Sequence, residues 1–164
     1  MDVTQNVGPI DESKLTIRDY APADQPRVSR LYTEGLLAGQ IPPNDTGADI
    51  ENIEEEYMRN DRAHFWIAEY EGEAVGMIGV AEDEPNHAEI RRLRVEPKYQ
   101  SRGVAVKLLE TALGFCHHHG YLKVVLDTRL ETSPGAAIAI FDRFAFQHTR
   151  TKTLQGKEVV EFYL

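Results

Sequence analysis

RVEPKYQSRGVAVKLL, Arg94 to Leu109, decides how this chain folds. It passes from alternating valine and charge, through a proline and a polar turn, into apolar residues at helical spacing. A further apolar run, YLKVVLDT from Tyr121, follows and has the character of a strand buried inside a sheet. A helix that joins two strands of one sheet makes them parallel and crosses over right-handed. The seam QSRGVA places Gly103 where the helix begins. A helix start leaves its first N–H groups unpaired and carries roughly half a positive charge. With glycine there no side chain blocks an incoming anion, so the bare backbone offers a cradle for a pyrophosphate, to which Arg102 adds a cation.

Upstream, LTIRDY (Leu15 to Tyr20) alternates as a strand, and Asp24 is placed to cap a helix through Val28, Leu31, Leu36 and Leu37 that stops at Gly39. IPPNDTG breaks the chain before a short acidic helix with Ile50, Ile53 and Tyr57 on one face. HFWIAEYEGEAVGMIGVAE reads as a hairpin turning at Glu71-Gly72-Glu73, and AEIRRLRV as a third strand. Downstream of the opening stretch the helix ends at Gly120. Ser133 and Pro134 then start a helix through Ala137, Ile140 and Phe144. FQHTRTKTL and EVVEFYL close the chain as strands around Gln155-Gly156-Lys157. The order β-α-α-β-β-β-α-β-α-β-β predicts an α/β (α+β) fold, a mixed central sheet with helices on both faces. The division expected is a flexible lead over 1–14 and a single domain over 15–164.

The 164 residues suffice for one core without disulfide or metal support. Cys116 is the one cysteine and sits among apolar residues, which suits a reducing compartment and a cytoplasmic location. No apolar run approaches the roughly 18 residues of a membrane span, and the opening residues lack the features of a signal peptide. A net charge of −9 argues against nucleic acid and suits an amine-bearing partner. His117, His118 and His119 are consecutive, so a helix points them apart rather than onto one metal.

Strand, VEP, polar turn, QSRGVA and amphipathic helix together resemble the acetyl-CoA-binding motif of the GNAT superfamily, the Gcn5-related N-acetyltransferases. The family's Gln/Arg-x-x-Gly-x-Gly/Ala stands here as Gln100, Gly103 and Ala105. The element order is also that family's, from Leu15 to Leu164. The resemblance implies acetyl-CoA as co-substrate, with no metal. Its pyrophosphate would rest on the backbone around Gln100, Ser101, Arg102, Gly103, Val104, Ala105 and Val106. Its pantetheine arm would pair with Leu93, Arg94 and Val95 where the sheet splays open. An N–H of Leu93 or Val95 would polarise the acetyl carbonyl.

Acetylation of an amine needs a neutral nucleophile, so a base must take its proton. By the period of two, Glu89, Arg91, Leu93 and Val95 share one face of their strand, with Glu89 about 20 Å along it from Val95. Glu89 resembles the general base of the histone-acetyltransferase branch, in the same AEI and at the same spacing from the motif glutamine. The structural alternative is a Glu89 paired with Arg91 or Arg92. In the later helix the family often reads Asn-x-x-Ala-x-x-x-Tyr, with the tyrosine as acid to the leaving thiolate. Here Pro134 replaces the asparagine, Ala137 matches, and Phe141 replaces the tyrosine and has no proton to give. Either the thiolate leaves unprotonated, or Tyr99, Tyr121 or His148 serves. Should Glu89 be structural, Glu82 or Glu84 acting through water is the alternative base.

The expectation is a GNAT-type acyl-CoA N-acetyltransferase acting on a primary amine of a small molecule by direct attack, with VVLDT and its helix similar to camello-type members. The alternatives are a silent acyl-CoA-binding regulatory module on the same fold, and a protein lysine or N-terminal acetyltransferase. A homodimer is the assembly considered.

Overall fold

The computed structural model describes residues 10–37, 40–127, 136–154 and 157–163. Among these, seven strands form one sheet in the order β1-β2-β3-β4-β5-β7-β6. The strands are β1 (Leu15–Asp19), β2 (His64–Tyr70), β3 (Glu73–Glu84), β4 (His87–Val95), β5 (Lys123–Asp127), β6 (Gln147–Leu154) and β7 (Lys157–Tyr163). The helices are α1 (Gln25–Glu34), α2 (Ile53–Tyr57), α3 (Val104–His118) and α4 (Ala136–Arg143). This is the element order read from the sequence, in a mixed sheet. Neighbouring strands are antiparallel except β4 and β5, the two joined by α3. The expected Ser133-Pro134 helix start, the Gln155-Gly156 turn and residues 1–9 lie outside the described residues. From Ile10 onward the lead is anchored: Ile10 packs on the core, and the Asp11 N–H donates to the Tyr70 hydroxyl at 3.0 Å.

The two faces of the sheet carry separate apolar clusters, as period-two strands require. On one face Ile78, Val80, Ala88, Ile90, Leu93, Val95 and Val124 pack beneath α3 and α4. On the other Phe65, Ile67, Met77 and Ala81 meet Val28, Leu31, Ile50, Ile53 and Tyr57 from the α1–α2 segment.

β4 and β5 pair only from His87 to Glu89 against Lys123 to Val125, after which β4 continues to Val95 without β5 beside it. That short seam is the splay. Its closed end is pinned: the Asn86 carbonyl accepts the N–H groups of Leu122 and Lys123. Beside it the Arg62 guanidinium lies over the Tyr121 ring and donates to the His119 carbonyl at 2.6 Å and to Glu82 at 3.1 Å.

The structure corrects two readings. First, α1 ends at Glu34 rather than running through Leu36 and Leu37 to Gly39. Gly35 turns its carbonyl onto the Val95 N–H at 3.0 Å. A Cβ at Gly35 would stand 2.8 Å from the Leu31 carbonyl and 3.0 Å from the Arg94 Cβ, so only glycine lets the chain pass this close. Second, β4 does not alternate throughout. The register against β3 shifts between Met77/Arg94 and Gly79/Arg91, and Arg92 takes φ 58°. This bulge inserts one residue and reverses the faces beyond it. Glu89 and Arg91 therefore face α1 and α2, whereas Leu93 and Val95 face α3, contrary to the shared face expected.

Candidate active site

Gly103 precedes the first residue of α3 at φ 93°, a conformation that disfavours side chains. The first helical bond runs from the Lys107 N–H to the Gly103 carbonyl, so the N–H groups of Val104, Ala105 and Val106 precede the helical ladder. A Cβ built on Gly103 meets nothing within 4 Å, so the space before the helix start is open. Leu37, Val95, Gln100, Ser101, Gly103, Ala105 and Val106 line a cavity of about 350 Å³ there. Ser101, an exposed residue of the same loop, also has positive φ, 62°. Fixed N–H donors, a positive helix end and a side-chain-free approach fit a pyrophosphate with an attached pantetheine arm. The expected loop residues thus lie together, with one change of role for Gln100. Its amide nitrogen donates to the Leu36 carbonyl at 3.1 Å and the Val95 carbonyl at 2.8 Å, tying the strap after α1 to the end of β4. The Arg102 Nε donates to the Lys98 carbonyl at 2.9 Å, across the turn.

On β4, the side chains of Leu93 and Val95 are fully buried. The Val95 N–H donates to Gly35, so of the two N–H groups considered for the acetyl carbonyl the reading narrows to Leu93. Arg94 is 5 % exposed and faces away from the cavity, its Nε donating to the Tyr32 carbonyl at 3.0 Å and its Nη1 to the Leu93 carbonyl.

Glu89 sits on the α1–α2 face, in an ion pair with Arg91. The two side chains are 26 % and 35 % exposed, so solutes reach both. The pairing weighed as the alternative in the sequence is present, and any proton transfer to Glu89 takes place beside a guanidinium. Arg91 also meets the Tyr57 hydroxyl, and that hydroxyl donates to Asp49 at 2.6 Å. Burial among apolar groups, then the Asp49 charge, push the Tyr57 hydroxyl well above its usual range, which keeps it a donor.

Sequence reasoning missed the neighbouring latch. The bulge turns Arg92 toward the α1–α2 segment, where its Nη1 and Nη2 grip Asp45 and its Nε and Nη2 grip Asp49, at 2.5 to 3.0 Å. All three side chains are at most 21 % exposed. Arg92 holds the Asp45 carboxyl down to about 2. The only signal in the sequence was opposite charge between NDTGAD and RRLR, which does not give a contact.

The remaining candidates have the following surroundings. Phe141 is fully buried, its ring stacked 3.6 Å from that of Phe162, so this side chain packs the core beneath α4. Ala137 lies in the first turn of α4, and its side chain, like that of His148 on β6, is outside the described residues. Tyr121 gives its hydroxyl proton to the Arg62 carbonyl at the closed end of the seam, and burial pushes its pKa up to about 12. Tyr99 stacks edge-on to Tyr70. Glu82 and Glu84 are exposed at the β3–β4 turn, held by Arg62 and His87. The Cys116 thiol is fully buried, which raises its pKa to about 12 and makes it a poor nucleophile. His119 stacks on Phe115, and among the described residues no group of three His, Cys, Asp or Glu gathers to hold a metal. Among them, too, no helix is long and apolar enough to cross a membrane.

Comparison with known proteins adds an independent line. A family model described as the acetyltransferase (GNAT) family matches residues 29–146. A probable N-acetyltransferase camello of Xenopus tropicalis is 30% identical over 108 residues, covering 65% of this chain and 48% of that protein. A human N-acetylaspartate synthetase is 32% identical over 123 residues, 74% of this chain and 37% of that protein. Human N-acetyltransferase 8 is 33% identical over 106 residues, 62% of this chain and 46% of that protein. The matched region thus spans between a third and a half of these relatives. Among solved structures, a putative acetyltransferase of Salmonella typhimurium with acetyl-CoA aligns with TM-score 0.67 at 20% identity over 92% of this chain and 93% of that one. The paia N-acetyltransferase of Thermoplasma acidophilum, in complex with coenzyme A, aligns with TM-score 0.68 at 19% identity over 92% and 99%.

Proposed function

The chain belongs to the GNAT family of acetyltransferases, and from that premise we propose that it is an N-acetyltransferase moving an acetyl group from acetyl-CoA to the primary amine of a small molecule. The observation that carries this reading is the open start of α3, where Gly103 at φ 93° clears the approach to three backbone N–H groups beside a cavity of about 350 Å³. That cavity leads from the loop to the end of β4, as a pyrophosphate with a thioester arm would need. The name of the N-acetylaspartate synthetase relative speaks for a small amine rather than a protein lysine.

Acetyl-CoA supplies an activated acetyl thioester when bound. The N–H groups of Val104, Ala105 and Val106 hold its pyrophosphate, and Leu93 offers an N–H to the acetyl oxygen. Glu89 accepts a proton from the incoming ammonium, directly or through water, so that nitrogen can attack the acetyl carbon. As the new C–N bond forms and the C–S bond breaks, the thiolate leaves without an acid from Phe141. A thiol pKa near 8.5 makes that departure feasible. The charges balance: one proton passes from the ammonium to Glu89, a second passes from nitrogen to water as the tetrahedral centre collapses, and the sulfur leaves as the thiolate anion. Residues 15–164 would act as one domain, in the cytoplasm.

The second reading, a silent acyl-CoA-binding module, draws on the absence of a tyrosine hydroxyl at Phe141 and on the Arg91–Glu89 pair. One experiment separates them: acetyl-CoA turnover, followed as thiol release, against a panel of amines, amino acids and peptides. Thiol release with free small amines supports transfer. Acetyl-CoA binding with no acceptor turned over supports the silent module, and a preference for peptides would refute the small-molecule reading. Light scattering with and without acetyl-CoA tests the homodimer.

A further inference from the structure

The acceptor side of β4 carries more positive charge than an amine substrate alone would call for. Because the bulge at Arg92 adds a residue, Arg91, Arg92 and Arg94 all face the α1–α2 segment instead of alternating across the sheet. Two of the three are committed. Arg92 is gripped by Asp45 and Asp49, and Arg94 is turned into the Tyr32 and Leu93 carbonyls at 5 % exposure. Arg91 is the cation of the three within reach of a solute, paired with the somewhat less exposed Glu89. Its position is fixed from behind. The Tyr57 hydroxyl touches it, Asp49 fixes Tyr57, and Arg92 fixes Asp49.

We propose that this Arg91–Glu89 pair is the receptor for a zwitterion, and that the acceptor is an α-amino acid whose carboxylate docks on Arg91 while its ammonium docks on Glu89. The proposal rests on the acetyl-transfer reading above and names the substrate class of that same site. A free α-amino acid carries one anion and one cation two bonds apart, about the spacing of a charge-assisted ion pair. It can therefore exchange with the internal pair, each protein charge trading its partner for the matching end of the ligand. No charge is left stranded, which is what makes the exchange cheap in a half-buried place. The exchange also delivers the amine to Glu89, the group proposed to take its proton. A polyamine has no such fit: it would bring two or more cations against the arginines of β4 and offer nothing to Arg91. An amino acid amide keeps the ammonium but loses the group that Arg91 recognises.

The experiment uses the whole chain and compares L-aspartate, L-lysine, L-leucine and L-phenylalanine, each against its own α-carboxamide. Thiol release gives kcat/KM for both members of each pair. The expected result is that at least one free acid is preferred over its amide by 10-fold to 100-fold, the range that a hydrogen bond to a charged group supports. In Arg91→Gln that ratio should collapse toward unity through a rise in the acid's KM. Arg91→Lys should restore part of it, because the charge returns without the fork. Acetyl-CoA affinity by calorimetry should match wild type in both variants, which shows that they fold. Amides used as well as acids, or a preference that survives Arg91→Gln, overturns the proposal. If none of these amines supports thiol release, the acetyl-transfer reading fails by itself. The receptor is then read by calorimetric titration of the same pairs into the coenzyme A complex. Acid binding lost in Arg91→Gln still supports it, and equal or absent binding of acid and amide overturns it.

Discussion

Arg92 gives the sharpest test of the architecture around the site, because replacing it separates a strained backbone from a buried charge. Arg92→Ala removes four hydrogen bonds and leaves Asp45 and Asp49, each with about a fifth or less of its side chain exposed, facing one another without a cation. Losing one partner of a buried, hydrogen-bonded pair costs about 3–5 kcal/mol. The α1–α2 segment can swing partly into water, so the lower end applies, about 3 kcal/mol. Arg92→Gly loses the same contacts but relieves a left-handed backbone, φ 58°, that costs a non-glycine residue about 1 kcal/mol. The glycine variant should thus be the more stable of the two by about that amount. The pH dependence should also reverse. In wild type the Asp45 carboxyl titrates at about 2, below its unfolded value near 3.8. The stability it contributes is complete above pH 4 and is lost as pH falls from about 4 to 2. In Arg92→Ala the two carboxylates repel, so mild acid, from pH 7 toward 5, should stabilise the fold. Urea unfolding at pH 7, 5 and 2.5 measures all three effects. A loss below 1 kcal/mol with unchanged slope, and alanine equal to glycine, would refute the latch.

Gly103→Ala should cost about 1 kcal/mol of stability from its positive φ, whereas Gly103→Glu should in addition abolish acetyl-CoA binding by placing an anion against the pyrophosphate; unchanged calorimetric affinity in a folded Glu variant would remove the cradle. Glu89→Gln should lower turnover by roughly 10²–10⁴-fold while acetyl-CoA affinity holds, and a variant that turns over like wild type makes Glu89 a partner of Arg91 only. Turnover should rise with pH as the amine deprotonates and then level off, since no tyrosine stands at Phe141; a descending limb near pH 10 that Tyr99→Phe removes would show that the thiolate has an acid after all. Tyr121→Phe should not alter that profile, because its hydroxyl is spent on the Arg62 carbonyl at the far end of the seam.

Most of the fold could be read from periodicity, and the reasons are local. β2, β3 and β5 show apolar runs between turn residues, and α3 combines a glycine start, a helical stripe and a Gly120 stop within one stretch. What periodicity cannot see is an inserted residue. Neither glycine nor proline marks the bulge at Arg92, so strict alternation placed Glu89 with Leu93 when they face opposite ways. The end of α1 was obscure for a related reason. Gly35 and Gly39 look equally able to stop a helix, and the choice was made by β4, which leaves no room for a Cβ at Gly35. At the site, the motif located the loop but not the work of each residue. Gln100 reads as a ligand contact in the motif, while its amide nitrogen here joins two backbone carbonyls. Arg92 and its two aspartates are far apart in sequence, and only the folded chain brings them together.

The three residue pairs between β4 and β5 have a mechanical meaning as well as a geometric one. They form the spine of an open book whose leaves are β1–β4 and β5–β7, with α3 as the binding cloth and Arg62 as the stitch at the foot. A spine so short ties the leaves together only at one end and leaves β4 from Ile90 to Val95 without β5 beside it, the stretch that holds Leu93 of the proposed acyl site. Amide hydrogen exchange should be slower in the His87–Glu89 seam than at Leu93, with Val95 held back by its bond to Gly35. The ligand arm would then act as an added leaf glued between the two, stiffening the sheet from the inside. Rigidity in this protein would thus depend on its cargo at the very place where the chemistry occurs.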